Sequence, residues 1–305
     1  MGDLAGGIDL STSIGSLKLK NPLIVASGVL GVSLGLMRRA EAGGAAALVT
    51  KTTTLKAREG HSNPVIVDLG YGLLNSMGLP NPGAREMGEL VRKARETLGV
   101  PIIASIGASS PVEAERIAEL LVHADAYEIN ASCPHVKKLG LDVMSDARLL
   151  ADIVTVVKAF GKPVYVKLSA HGDFISAANR ALDAGADGLV AINTLKGMAI
   201  DIWAKTPILG GIYGGLSGPA IRPVAIRCVY ELYEEFPRVP IVGVGGADSW
   251  RDVIEFLLAG ASAVGVATAL RRGFNVLEKM LKGVREYMVE EGFRSLGELV
   301  GLAHR

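Results

Sequence analysis

PIVGVGGADSWRDVIEFLLAGASAVGVAT, residues 240–268, is the stretch whose reading decides the fold. It opens on a short apolar run, residues 240–244, that shows no polar alternation and stops at Gly245-Gly246. Residues 249–258 then have helical spacing, with Val253, Ile254, Leu257 and Leu258 on one face. Ala259-Gly260-Ala261 closes that helix, since glycine just past a helix end supplies the left-handed residue. A second apolar run, residues 261–267, stops at Thr268. Short runs of Val, Ile and Ala without alternation are strands buried on both faces of a parallel sheet.

The same unit recurs back along the chain. Apolar runs lie at residues 22–26, 46–50, 101–106, 124–129, 163–166 and 187–192. Helical spacing fills the intervals, as at residues 111–121 and 146–160. Ala-Gly-Ala recurs at 184–186 and Ala-Gly-Gly at 42–44. Eight strands alternating with helices predict an α/β protein, a single (β/α)8 TIM barrel over residues 1–305. An open doubly wound sheet is the other architecture this alternation allows. Two intervals are too long for a bare unit. Residues 52–100 form an extended loop after strand 2, and the Gly- and Pro-rich residues 194–223 form an insertion or lid after strand 6. Residues 1–21 are expected to add a short hairpin under the barrel floor.

Composition narrows the function. Lys and Arg total 32 against 31 Asp and Glu, a balance that disfavours a nucleic-acid surface or a polybasic membrane patch. The two cysteines, Cys133 and Cys228, are too few for a disulfide framework or an iron–sulfur site, and no metal site is expected. No secretory signal opens the chain, and its longest uncharged stretch, residues 256–270, is too short to span a bilayer. These features predict a cytoplasmic protein.

Catalytic groups of such barrels sit at the C-terminal ends of the strands. Those positions hold Lys51, Asn130, Lys167, Asn193, Gly245-Gly246 and Thr268. A lone lysine there is a solvated cap as readily as a ligand. Two lysines in one partly enclosed mouth call for an anionic ligand. Asparagine side chains suit a ring with amide edges. Glycines after strand 7 and Thr268 after strand 8 match the usual barrel phosphate site, although such glycines also serve as plain turns. Cys133 follows strand 4, where a free cysteine is either a small buried hydrophobe or a poised base or nucleophile. His135 is two residues on and an alternative partner for it. Cys228 lies in an apolar helix, residues 224–232, and is read as core. Asn75 belongs to the turn-rich NSMGLPNPG, residues 75–83, in the excursion after Lys51.

The chain resembles the class 1 dihydroorotate dehydrogenases over nearly its full length. NPLIVASG, KTTT, NSMGLPNPG, EINASCPHVK, VYVKLS, AINTLKGMAIDI, YGGLSGPAIRP, VGVGG and GASAVGVATAL fall in the family's order and spacing. The pair NTLKGMAIDI and GGLSGPAIRP is the specific part, and the fragments look most like the NAD-linked B-type catalytic subunits. The N-terminal helical extension of the quinone-linked class 2 enzymes is missing.

The resemblance implies an FMN barrel that oxidises dihydroorotate to orotate in de novo pyrimidine biosynthesis. It assigns FMN to Ser27, Lys51, Thr52, Asn130, Lys167, Ile192, Gly218, Gly245, Gly246, Ala267 and Thr268. Ser105 stands where the family commonly has an asparagine contact to the flavin. Substrate would be held by Lys51, Asn75, Met77, Gly78, Leu79, Asn130, Asn193 and Thr194. Cys133 would be the general base, and Lys167 would stabilise the anionic reduced flavin. His135 replaces a family asparagine. A homodimer core is implied, with a separate electron-transfer subunit carrying FAD and an iron–sulfur cluster. Three other readings fit the same rim: a related dihydropyrimidine dehydrogenase, a Schiff-base lyase using Lys167, and a non-catalytic barrel that binds a partner.

Overall fold

The computed structural model describes residues 7–30, 32–131, 143–144 and 146–305. The chain opens with an antiparallel hairpin, β1 (Thr12–Ile14) and β2 (Leu17–Leu19). Next come β3 (Leu23–Val25), helix α1 (Leu34–Ala42) and β4 (Ala47–Val49). The first long excursion adds β5 (Ile66–Asp68) and β6 (Leu73–Asn75) before α2 (Ala84–Thr97). Strict alternation follows: β7 (Ile102–Ile106), α3 (Pro111–Leu120), β8 (Ala126–Asn130), α4 (Ala147–Lys158), β9 (Val164–Leu168), α5 (Phe174–Asp183) and β10 (Gly188–Ala191). The second excursion contributes β11 (Leu195–Gly197), β12 (Ile200–Asp201), β13 (Thr206–Pro207) and β14 (Gly214–Ser217). The remainder is α6 (Arg222–Glu235), β15 (Ile241–Val244), α7 (Trp250–Leu258), β16 (Ala263–Val266) and α8 (Asn275–Glu291).

Strands β3, β4, β7, β8, β9, β10, β15 and β16 close into a parallel barrel. These are the eight apolar runs of the sequence, and the closed ring excludes the open-sheet alternative. Period-2 alternation sorts their side chains into two cores. Ile24, Val49, Ile103, Tyr165, Val190 and Val242 point inward. Leu23, Leu48, Ile102, Tyr127, Val166 and Leu189 point outward, where helix residues such as Ile117, Val154 and Phe256 cover them. Both faces of each strand are therefore dry, which is why the runs show no alternation.

The helices begin where their sequence says they should. Ser110, followed by Pro111, accepts the Glu113 N–H, and Asp146 accepts that of Leu149. Two of them end at the positive-φ glycines of the Ala-Gly-Ala repeats, Gly185 (98°) after α5 and Gly260 (113°) after α7. In Ala-Gly-Gly it is Gly44 (105°) that takes this conformation, one residue past Gly43.

The β1–β2 hairpin closes the floor. Ile14 and Leu19 join the inner core, and Tyr165 Oη donates to the Ile14 carbonyl at 2.7 Å. At the opposite end the two long excursions meet. β14 pairs with β6, which pairs with β5, while β11 adds to the other edge of β14. The loop after strand 2 and the insertion after strand 6 thus form one four-stranded antiparallel sheet. No helix among the described residues is long and apolar enough to cross a membrane.

Candidate active site

The inward residues at the C-terminal ends of the strands make a polar ring above an apolar barrel. Lys51 follows β4, Ser105 lies in β7, Asn130 ends β8 and Lys167 lies in β9. Asn130 and Lys167 are register partners in the parallel ladder, so they face the mouth side by side. Lys51 is 9% exposed and Lys167 6%. Among the described residues no carboxylate or other acceptor pairs with the Lys167 ammonium. A buried ammonium without an anion is costly, so the ring is built to receive one.

Hydrogen bonds join most of the sequence-predicted residues into one network. Thr52 Oγ1 lies 3.3 Å from Ser27 Oγ and 3.1 Å from Ser105 Oγ, and it accepts from Asn130 Nδ2 at 3.2 Å. Asn193 Nδ2 donates to Asn130 Oδ1 at 3.1 Å, and Asn193 Oδ1 accepts the Thr194 N–H at 2.8 Å. Ser27, Thr52, Ser105, Asn130, Asn193 and Thr194 are therefore in mutual contact, drawn from five separate stretches of chain. Ser105 Oγ in turn donates to Glu128 Oε1 at 2.9 Å. Glu128 is absent from the expected residues. Its signal was a charge inside an apolar strand, Tyr127-Glu128-Ile129, which attention to strand ends passes over.

A second cluster lies at the ends of β15 and β16. Gly245 (φ 131°) and Gly246 (φ 86°) are buried, and among the described residues no acceptor takes their N–H groups. A Cβ on Gly246 would lie 2.8 Å from the Gly218 carbonyl and 2.7 Å from Arg222 Cβ. One on Gly218 (φ 92°) would lie 3.7 Å from Thr268 Oγ1. Ala267 leads from β16 into a 3-10 turn, Thr268–Arg272. Asp252, at the start of α7, fixes the loop by accepting the N–H groups of Asp248 (2.9 Å) and Ser249 (2.7 Å). Ile192 ties the clusters together: its N–H donates to Val244 O at 2.6 Å, and a Cβ on Gly245 would lie 3.4 Å from its Cγ1. Side-chain-free backbone with unused N–H donors beside a hydroxyl is the chemistry of a phosphate cradle. With a cationic ring at the other end, these residues fit a group that carries a phosphate tail and an amide-edged ring, as FMN does.

The sheet above the mouth places the next group. Asn75 Nδ2 donates to Gly215 O at 3.1 Å, and a Cβ on Gly215 would lie 2.7 Å from Thr194 Cβ. Asn75, Gly215 and Thr194 therefore stack where the sheet meets the rim. Met77, Gly78 and Leu79 continue from β6 into a loop whose hydrogen bonds run elsewhere. Met77 O accepts from His61 N (3.1 Å) and Gly78 O from Arg58 Nε (3.4 Å). Cys133 and His135 lie outside the described residues. Cys228 is fully buried in α6, and burial pushes its thiol pKa up, as suits a core residue. Among the described residues no group of three or more His, Cys, Asp or Glu side chains is placed to hold a metal ion.

Comparison with known proteins completes the description. The family model described as dihydroorotate dehydrogenase matches residues 9–288. The chain is 45% identical to a Pyrococcus abyssi protein named dihydroorotate dehydrogenase B (NAD(+)), catalytic subunit, over 96% of this chain and 99% of that one. It is 45% identical to a protein of the same name from Methanocella arvoryzae, over 97% and 98%. It is 42% identical to a putative dihydroorotate dehydrogenase A (fumarate) from Aeropyrum pernix, over 97% and 98%.

Proposed function

This chain belongs to the dihydroorotate dehydrogenase family, an oxidoreductase family of pyrimidine biosynthesis, and on that premise we propose that it oxidises dihydroorotate to orotate with FMN bound across the barrel mouth. The observation that carries this reading is the joint presence of a buried Lys167, without an acceptor among the described residues, and the bare glycine cradle at Gly218 and Gly245-Gly246. FMN, when bound, supplies the hydride acceptor.

The chain's own residues supply the rest. Gly218, Gly245, Gly246, Ala267 and Thr268 hold the phosphate through backbone N–H groups and one hydroxyl. Ser27, Lys51, Thr52, Ser105, Asn130 and Ile192 line the flavin. Lys167 would hold its buried ammonium toward the flavin and favour an anionic ring, an electrostatic task done best in a dry site. Lys51, with Asn75, Met77, Gly78, Leu79, Asn130, Asn193 and Thr194, holds the substrate. Its ring amides are matched by asparagine amides, so rings lacking those groups would leave buried donors unpaired. Cys133 removes the C5 proton as general base.

The Pyrococcus and Methanocella relatives are named as NAD(+)-linked catalytic subunits; in the same proposal, on the family resemblance, a separate subunit carrying FAD and an iron–sulfur cluster takes the electrons on to NAD+. A homodimer core is part of the same proposal. Ile200, Ile202 and Trp203 (88% exposed) crowd the turn of the β12–β13 hairpin, an apolar surface that an interface would cover. Dissociation of the purified protein by Trp203→Glu supports this, and an unchanged sedimentation profile refutes it.

The purified protein's visible spectrum tests the central reading. A flavin chromophore that bleaches on anaerobic addition of dihydroorotate is expected. A colourless protein would favour lyase chemistry at Lys167 or a non-catalytic barrel. Bleaching by dihydrouracil but not by dihydroorotate would move the substrate to a dihydropyrimidine without the carboxylate.

A further inference from the structure

The glycine cradle is assembled from separate stretches of chain that must be held at a fixed separation. Gly246 follows β15, whereas Gly218 opens the short turn Pro219–Ile221 that leads into α6. The two stretches approach so closely that a Cβ on Gly246 would lie 2.9 Å from Arg222 N as well as 2.8 Å from Gly218 O. Among the described residues no backbone hydrogen bond joins residues 218–222 to residues 245–249. Side chains make the link. Arg222 Nη1 donates to Asp252 Oδ1, while Asp252 Oδ2 accepts the N–H groups of Asp248 (2.9 Å) and Ser249 (2.7 Å) and the Ser249 hydroxyl (3.1 Å). The Asp252 side chain is 8% exposed and that of Arg222 33%. Arg222 Nε also meets Glu255, an exposed carboxylate of α7, at 3.0 Å. On the other flank Arg272 Nη1 donates to Asp248 Oδ2 at 2.9 Å, from the turn that starts at Thr268.

We propose that Arg222 and Asp252 are a positioning pair for the phosphate cradle: their bond sets the spacing between the Gly218 turn and Gly245-Gly246, and so the affinity for the phosphate end of the ligand. This deepens the flavin reading and rests on it for the ligand's identity alone. A capping box at the start of α7 explains why Asp252 faces Asp248 and Ser249. It does not call for an arginine from another helix. A buried carboxylate holds its one cationic partner more firmly than an exposed pair does, because separation strands the charge. Backbone donors grip an anion only while they converge on one point, and the contacts behind them set that convergence. The Arg222 guanidinium is committed to Asp252 and Glu255, so it acts through the loop instead of on the phosphate. That fixes the sign of the effect. Were Arg222 a direct phosphate ligand, neutralising Asp252 would release it and remove a nearby negative charge, and the anion would bind more tightly. A positioning pair demands the opposite.

Four variants of the full chain test this: Asp252→Asn, Arg222→Met, Arg222→Lys, and the double variant Arg222→Met/Asp252→Asn. Asparagine at 252 keeps an acceptor oxygen for the loop N–H groups but turns an amide toward Arg222. Kd values for added FMN and for riboflavin, which lacks the phosphate, come from quenching of flavin fluorescence. Asp252→Asn and Arg222→Met are each expected to raise the FMN Kd about tenfold, the effect of losing a charge-assisted hydrogen bond, and to leave the riboflavin Kd within about twofold. Arg222→Lys keeps a cation for Asp252 and should stay within about threefold of wild type. The double variant should be no worse than the worse single, because both act through one bond. Tighter FMN binding in Asp252→Asn, equal losses for FMN and riboflavin, or full additivity of the single losses would each overturn the proposal. If Asp252→Asn does not fold, the two Arg222 variants decide. A second titration needs no flavin: inorganic phosphate is added to flavin-free protein labelled with 15N-glycine and followed at the Gly246 amide resonance. Both single variants should require about tenfold more phosphate than wild type, and equal titrations would overturn the proposal, as would an unmoved wild-type resonance. If the wild-type chain binds phosphate there but no FMN, the flavin reading fails and the phosphate titration decides this proposal separately.

Discussion

Asn193 Nδ2 donates to Asn130 Oδ1 at 3.1 Å, joining the ends of two strands, β10 and β8, that are not neighbours in the barrel. β9 runs between them and carries Lys167 in register with Asn130. The two amides therefore bridge the strand that holds the buried ammonium. Neither amide can turn without disturbing the other.

Asn193→Ala breaks that bridge and removes one ligand donor. The cost is a lost hydrogen bond and a loosened Asn130, about 1–3 kcal/mol, or roughly tenfold to a hundredfold in kcat/KM for dihydroorotate. Flavin content, read from the visible absorbance, should stay near wild type. Equal kcat/KM in variant and wild type would remove Asn193 from the substrate site.

Gly246→Ala places a methyl where backbone already sits, 2.8 Å from Gly218 O, at a φ of 86° that disfavours any side chain. The strain should cost about 1–3 kcal/mol of stability. It should also move the cradle enough to raise the FMN Kd at least tenfold. Thermal unfolding with and without added FMN measures both effects. A variant with unaltered melting temperature and flavin affinity would show that the phosphate lies elsewhere.

Cys133→Ala should keep the bound flavin and lose most turnover, since only the proton acceptor is removed. In the wild type, kcat/KM should rise with pH toward the ordinary thiol pKa of about 8.5. Stopped-flow reduction of the flavin by dihydroorotate isolates this half-reaction. Rapid bleaching in Cys133→Ala would assign the base to another group.

Alkaline stability depends on buried phenols. Burial pushes the Tyr127 pKa up to about 12, and it also raises that of Tyr165. A tyrosine of the unfolded chain ionises near 10. The folded state therefore holds the proton more tightly, which stabilises the fold fully below about pH 10. That stabilisation, roughly 2 kcal/mol for Tyr127, drains away as pH climbs toward 12. Tyr127→Phe should lose about 1 kcal/mol at neutral pH, through the missing bond to Ala118 O, yet show a shallower fall above pH 10. Denaturant unfolding from pH 8 to 11.5 follows both. The same slope in the variant and the wild type would rule out this account.

Most of the barrel was legible because each of its strands is dry on both faces. A run such as residues 240–244 then has one reading, and its terminal residue marks the rim. Lys51, Asn130, Lys167 and Asn193 were found in that way. The covering sheet could not be read. Its strands are three or four residues long, β14 is half glycine, and its central pairing joins Asn75 to Gly215 across 140 positions. Strands that short carry no periodicity, and nothing local encodes a partner so distant. Glu128 carries no such mark in the sequence, because it lies inside β8 and not at the strand end that points to the rim.

The β6–β14 ladder has a mechanical consequence. The cover over the mouth is anchored to the barrel wall at two points, after β4 and after β10, and its own ladder couples them. It behaves as a shutter riveted at both sides rather than as two independent flaps. Loosening either rivet would quicken the exit of a bound molecule by the same concerted step, and insertions in one excursion would be felt by the other.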